Sequence, residues 1–431
     1  MRWGTAATLL GIASGLALGT ATPAAASDPS TSWSVDLTAG QAVGVALDGT
    51  AARLDPATAF RAAAEDGTGG AARPTGLLTF PARRLDHRTD HIVVTVRGEV
   101  PPRATATVDV RGRRSTGGWT EWIPAAPGPD ASAVALPVAT TEVQGRLVLA
   151  GDPGAGPVVR ALTLTARPAP PGRAEGDEAA EVLSYRVFAT REGLVGGTTA
   201  NGHVITERDH FVALPSRRAL APRGTSDYAV KVCAPNGRCA FAPVWDVGPW
   251  NTRDDYWNPP GHRQEWRDLP QGLPQAQAAF ERGYNGGRDQ YGRRVSNAAG
   301  IDLGDGLFWD ALGLRDNSWV TVDYLWTGSV RLSKVEEATD VLAAPDGDAE
   351  VVGLAAEHAA VPVECVLDAG DDRWLRIGTD QYLEAKAVPD LESVDSCVEA
   401  PGPVETPGPD EAPGPTAVPG PPDRPASDDP S

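Results

Sequence analysis

Long apolar runs are what this chain most plainly lacks. After Met1–Ala26 no segment reaches the roughly 18 uninterrupted apolar residues that a helical membrane span requires, so no span is expected. Positive charge is also short, with 38 Lys and Arg against 57 Asp and Glu and a net charge of −19. That balance argues against nucleic acid and anionic membrane as partners, since both are held by basic surface. Cysteine is limited to four residues. None stands in Cys-x-x-Cys spacing or has a histidine at ligand distance in sequence, so no metal and no cofactor is expected.

What is present points to export. Met1–Ala26 combines Arg2, an apolar stretch near Leu9–Leu18 and the small-residue end Ala24-Ala25-Ala26, the pattern of a cleaved secretory signal. No cysteine follows for lipid attachment, and the mature chain is expected to be secreted, extracellular or wall-associated, and monomeric. The cysteines agree with an oxidising compartment. Cys233 and Cys239 flank Ala-Pro-Asn-Gly-Arg, which suits a hairpin tip and leaves Cys365 to pair with Cys397. In a loop-entropy model the two bridges contribute roughly 2.5 and 4 kcal/mol.

Composition divides the 431 residues into modules, and the expected fold class is all-β and multidomain. Across 33–167, period-two runs at His91–Arg97, Ala104–Arg111, Gln144–Ala150 and Val158–Ala166 predict a β-sandwich, with Ser34–Pro74 ambiguous. Its Trp119 and Trp122 sit in Gly-Gly-Trp-Thr-Glu-Trp, which resembles the Trp-x-x-Trp signature of β-sandwich modules attached to secreted cell-wall amidases. These rings either bind glycan or pack in a core and rim cluster. A Pro/Gly/acidic linker covers 168–180. Residues 181–330 carry strand-like runs at Val182–Ala189, His203–Thr206, Phe211–Leu214, Tyr228–Cys233, Arg238–Val244 and Trp319–Trp326, with helices expected at Pro274–Arg282 and Leu307–Leu314. Short strands recur over 335–398, at Thr339–Pro345, Glu350–Leu354, Ala360–Cys365, Trp374–Gly378 and Gln381–Glu384. From 399 to 431, Pro-Gly-Pro repeats every six residues, predicting a solvated, extended tail.

The chain's distinctive chemistry lies in Pro243–Trp326. At one end Asp246 stands in Trp-Asp-Val-Gly-Pro-Trp; at the other Asp302 stands in Gly-Ile-Asp-Leu-Gly. Seven of twelve tryptophans fall in this interval. Trp245, Trp250, Tyr256, Trp257, Trp266, Tyr284, Asn285, Tyr291 and Trp309 are candidate substrate contacts, since aromatic faces stack on sugar rings and amides bond hydroxyls. The competing reading is that a long insertion, Asn251–Ala298, uses large rings to build its own small core.

The segments Gly197–Gly202, Val212–Pro215, Asn236–Arg238, Val244–Trp250, and Ile301–Leu303 followed by Leu312–Leu314 occur in the order found in rare-lipoprotein-A-like double-psi β-barrels, which are related in fold to expansins and to some inverting endoglucanases. The resemblance implies a six-stranded double-psi barrel with a long insertion and short helices, a groove placement for Asp302, and a general-acid role for it. Asp246 is the second candidate, either a catalytic partner or a carboxylate capping a turn. Where the family carries a functional histidine this chain has Phe211, and His210 is the nearest substitute; a regular strand would turn it to the opposite face, so only a bulge would return it to the groove. The Asp-Val-Leu-Ala-Ala-Pro start at Asp340–Pro345, the Trp374 strand and the Tyr382-Leu383 close make residues 335–398 resemble a bacterial SH3-like barrel, which by analogy of fold implies attachment to peptidoglycan.

Together these readings predict a cell-wall protein that binds peptidoglycan or a related polysaccharide and cleaves it as a lytic transglycosylase or glycosidase. An expansin-like wall-loosening protein without bond cleavage is the alternative, and a secreted interaction or inhibitor module the third reading.

Overall fold

The computed structural model describes residues 30–62, 72–128, 131–170, 180–370, 372–391 and 394–397. The expected export signal, most of the linker and the Pro-Gly tail lie outside them. The described chain is built mainly of strands, with one α-helix, Gln275–Arg282, and several single turns of helix. No helix among the described residues is long and apolar enough to cross a membrane.

The first module is a sandwich made by folding one continuous sheet. Two long strands do the folding. Ser132–Ala150 pairs through its first half with Arg83–Glu99 and through its second with both Arg73–Thr79 and Thr105–Gly112. The register of Ser132–Ala150 against Arg83–Glu99 slips on either side of Thr140, and such irregularities bend a strand and let it serve two layers. Alternation then places Val108, Val110, Leu147, Leu149, Leu162 and Leu164 in one enclosed core, as period two requires. The segment that was ambiguous in sequence, Ser34–Pro74, supplies the short strands Gln41–Val43, Val45–Asp48, Ala51–Leu54 and Phe60–Ala62, together with the start of Arg73–Thr79.

The central module is a closed six-stranded barrel: β1 (Leu183–Arg191), β2 (Val212–Leu214), β3 (Ala229–Cys233), β4 (Cys239–Val247), β5 (Ala299–Leu303) and β6 (Ser318–Tyr324). Around the ring the order is β1, β5, β2, β4, β3, β6 and back to β1. β1 with β5 and β2 with β4 are parallel, and the other four pairs are antiparallel. Exchanging β1–β3 for β4–β6 maps this ring onto itself, so the two halves of the module are related by an internal two-fold, the arrangement of a double-psi barrel. Val187, Ala189, Val212, Leu214, Val230, Val244, Ile301, Leu303 and Val322 fill the interior.

Local expectations fared unevenly. The helix after Pro274 forms and ends at Gly283 in the left-handed conformation, with φ 68°, where glycine is favoured. The run His203–Thr206 is no strand; it is a turn closed by a bridge between Thr198 and Val204. The helix read over Leu307–Leu314 shrinks to one wide turn, Leu307–Ala311.

The third module continues the barrel sheet. Its strand β7 (Val351–Ala355) runs parallel to β4, pairing Cys239–Phe241 with Gly353–Ala355. Barrel residues Ala229, Phe241 and Leu325 share a core with Val341, Val361, Leu375 and Leu383. Both disulfides form as expected, Cys233–Cys239 across the β3–β4 hairpin and Cys365–Cys397 in the third module.

Trp119 and Trp122 resolve in favour of packing. Trp122 leaves the sandwich, is fully buried and belongs to the barrel core. Its ring lies between the guanidiniums of Arg111 and Arg146, 4.2 and 4.3 Å from its centroid, and its Nε1 donates to the Leu220 carbonyl. Beside it Asp109 accepts from Arg146 of the sandwich (2.7 Å) and Arg217 of the barrel (3.2 Å), all three buried.

Candidate functional site

Register alone assembles the centre of the site. Asp302 on β5 and Asp246 on β4 both stand opposite Ala213 on the intervening β2, and Thr190 on β1 stands opposite Asp302. Side chains directly across a sheet share a face, so Thr190, Asp302, Ala213 and Asp246 form one row. Their neighbours Ala189, Ile301, Val212 and Val244 point inward, which puts the row on the outer wall. A bulge at Trp245, between Val244 and Asp246 in the β2–β4 pairing, is what turns Asp246 outward.

A third carboxyl joins them. Glu192 immediately follows β1, its N–H donating to the Leu303 carbonyl, and it lies against Asp246, with Asp302 and Asp305 also close enough to act on its charge. Asp246 is held on one oxygen by the amides of Ala200 and Val247, each at 2.8 Å. Asp302 Oδ1 accepts a short hydrogen bond from the Thr190 hydroxyl. The other oxygen, Asp302 Oδ2, lies near Gly248, where even an added Cβ would be in ordinary contact at 3.7 Å. Each acid keeps a solvent-facing edge, being half-buried.

Proton affinity is raised at all three. Burial pushes the Asp302 carboxyl up to about 7, with the Asp246 charge adding to the effect and the Thr190 bond opposing it. Burial raises Asp246 as well, against the pull of its Glu192 contact and two backbone amides. Glu192 is driven far above the carboxylate range by burial and then by Asp246. Like charges this close cannot all ionise, so Glu192 and Asp246 titrate as a pair, while Asp302, raised to about 7, is poised to give or take a proton near neutrality.

The rim sets two ion-paired arginines, Arg191 with Asp305 and Arg208 with Asp310, against an aromatic ring. Arg191 bonds both oxygens of Asp305, at 2.8 and 3.0 Å. The guanidiniums of Arg191 and Arg208 each lie 4.8 Å from the centroid of Trp309, which is 39% exposed. Trp309 is the exposed ring of this rim, lying against two arginines that are each ion-paired. Trp250 follows Gly248-Pro249 at the end of β4 and is half-buried, its Nε1 donating to Asn297.

The other predicted contacts are placed elsewhere. Tyr256 and Trp257 are fully buried; Trp257 stacks on Tyr324 and meets Trp326 edge-on, and Tyr256 meets Tyr324 edge-on. The Tyr256 hydroxyl donates to the Gly300 carbonyl, and Trp257 donates to Glu121 of the sandwich; their predicted substrate role is corrected to a packing one. Trp245 is buried against Phe211 and His203. Trp266 packs edge-on against Tyr284, whose hydroxyl bonds Asp268, and Asn285 and Tyr291 make hydrogen bonds within the insertion. The outer part of the insertion therefore packs on itself, while Tyr256 and Trp257 join the barrel core. His210 is also displaced from the acids: its charged neighbours are Asp310 and Asp209, and burial lowers its proton affinity.

Glu192 escaped the sequence reading because Arg-Glu-Gly after a strand has the appearance of a solvated turn. The signal that finds it is the parallel pairing of β1 with β5, which places the residue after Arg191 beside the Asp302 strand end.

A family described as a domain of unknown function (DUF8814) matches residues 183–323, a span that opens on the first residue of β1 and closes within β6. Among curated proteins there is no significant match to the chain.

Proposed function

We propose that the outer wall of the barrel binds and cleaves a cell-wall polysaccharide, peptidoglycan or a related glycan, by acid catalysis, in a secreted protein of the rare-lipoprotein-A-like kind. The observation that carries this reading is the half-buried Asp302, with proton affinity raised to about 7, beside the coupled carboxyls of Asp246 and Glu192. Asp302 donates its proton to the glycosidic oxygen as the bond to the anomeric carbon breaks. The anionic Asp246–Glu192 pair faces the positive charge that develops there and accepts the proton of the attacking hydroxyl. Asp246 and Asp302 lie two strand spacings apart, about 9–10 Å between Cα atoms, on either side of Ala213. The third module, on its SH3-like resemblance, serves as a wall-attachment unit.

The test is incubation of the mature protein with purified peptidoglycan and mass spectrometry of soluble products. Muropeptides should appear, and Asp302→Asn should lower their release by at least about 100-fold with sedimentation on the wall retained. Sedimentation without products from the unaltered protein would move the barrel to the wall-loosening reading. That reading draws on the two amides held by Asp246, a purely structural use of one of the acids.

A further inference from the structure

We propose that the sandwich carries a separate anion site that takes phosphoryl groups. A cavity of about 480 Å³ opens where Ser132–Ala150 bends, lined by Arg84, Arg88, Arg113 and Arg114 together with the hydroxyl-bearing Ser115, Thr140 and Thr141, with Glu142 as its single acid. Four arginines against one glutamate form a cationic pocket in a chain whose net charge is −19. Asp86 and Asp90, on the same strand as Arg84 and Arg88, stay outside the lining.

The pocket is built by the fold. The register slips flanking Thr140 part the long strand from Arg83–Glu99, and the Thr140 hydroxyl fixes the bend by donating to the Arg113 and Glu142 carbonyls. Two guanidiniums are held in place: Arg88 donates to the Ala139 carbonyl at 2.9 Å, and Arg113 lies 5.0 Å over the Trp119 ring. Arg84 reaches Glu142 only at 3.8 Å and is 89% exposed, so a ligand can recruit it. Converging guanidiniums repel one another, and a group with several oxygens and more than one negative charge offsets that repulsion best. Phosphate meets the requirement and matches the planar fork of arginine; a lone carboxylate supplies half the charge.

The probes are pyrophosphate, long-chain polyphosphate and poly-glutamate, titrated calorimetrically into the full chain at low salt. Both phosphates should bind, with affinity falling as salt rises, and the double variant Arg84→Gln/Arg113→Gln should weaken binding at least tenfold. Tighter binding of polyphosphate than of pyrophosphate, per site, would identify a polymer as the source, and equal affinity a small phosphate ester. Glu142→Gln, which removes the one acid, should tighten binding, and this second readout does not depend on an arginine being removed. Absence of phosphate binding, binding unaltered in the double variant with its melting temperature intact, or preference for poly-glutamate would each overturn the proposal. None of these outcomes bears on the acid site of the barrel.

Discussion

At the scale of single residues, Asp302 couples function to instability. An unfolded chain releases its Asp302 proton near the ordinary value of 3.8, whereas the folded protein keeps it to about 7. Between those values the native state binds the extra proton, so this residue makes stability fall as pH rises from about 4 to 7 and adds no further change above that. A shift of this size corresponds to a few kcal/mol at neutral pH. Asp302→Asn retains an acceptor for Thr190 and removes the charge. It should melt several degrees higher than the parent at pH 8 and at the same temperature at pH 4, while product release disappears. Coincident melting curves at both pH values would show that the carboxyl is not buried as described. Product release by the parent protein should decline above about pH 7 as Asp302 loses the proton it has to donate. Asp302 and Asp246 were both legible as candidates because each stands in a short strand-end motif. Glu192 was not, since nothing local marks it and its partners are 54 and 110 residues further along the chain.

At the scale of elements, sequence and structure agree where side-chain period decides and part where long-range pairing does. The strands at Val158–Pro168 and Gln381–Glu384, and the helix Gln275–Arg282, follow from alternation, a preceding proline and a terminal glycine. The pairing of β4 with β7 does not, because Val-Val-Gly-Leu reads as an ordinary small strand. Gly353 is the mark it leaves: a Cβ there would lie 1.8 Å from the Cys239 carbonyl oxygen, so the two backbones approach as closely as only glycine permits. Gly353→Ala should force β7 from β4 at a cost of about 3 kcal/mol. Hydrogen exchange at Gly353–Ala356 and Cys239–Phe241 would reveal it as lost protection, the Cys233–Cys239 hairpin otherwise remaining folded. Unchanged protection would mean that the modules are joined by their shared apolar core alone.

At the scale of the molecule, the aromatic wealth that suggested a sugar surface is spent largely on joining modules. Glu121, between the two sandwich tryptophans, accepts from Trp257 and Asn258 of the insertion and from Trp326 of the barrel. Trp122 fills the barrel end, and Asp109 holds Arg146 and Arg217 across the boundary. Composition foretold neither, since a ring or an arginine in a strand looks the same whether it faces its own core or a neighbour's. Burying two guanidiniums is tolerable only with their carboxylate present; removing one partner of such a set costs about 3–5 kcal/mol. Burial works to raise the proton affinity of Asp109, but its two arginines outweigh it and lower the value, so the contact holds above the ordinary carboxylate range and is lost only as pH falls below it. With a protease site placed between residues 170 and 180 and then cut, the parent should still elute from a sizing column as one particle. Asp109→Asn, cut in the same way, should release the sandwich as a separate folded fragment. If both stay together, the apolar contact of Trp122 suffices without the ion cluster, and Trp122→Ala in the cut Asp109→Asn protein should then be what parts them.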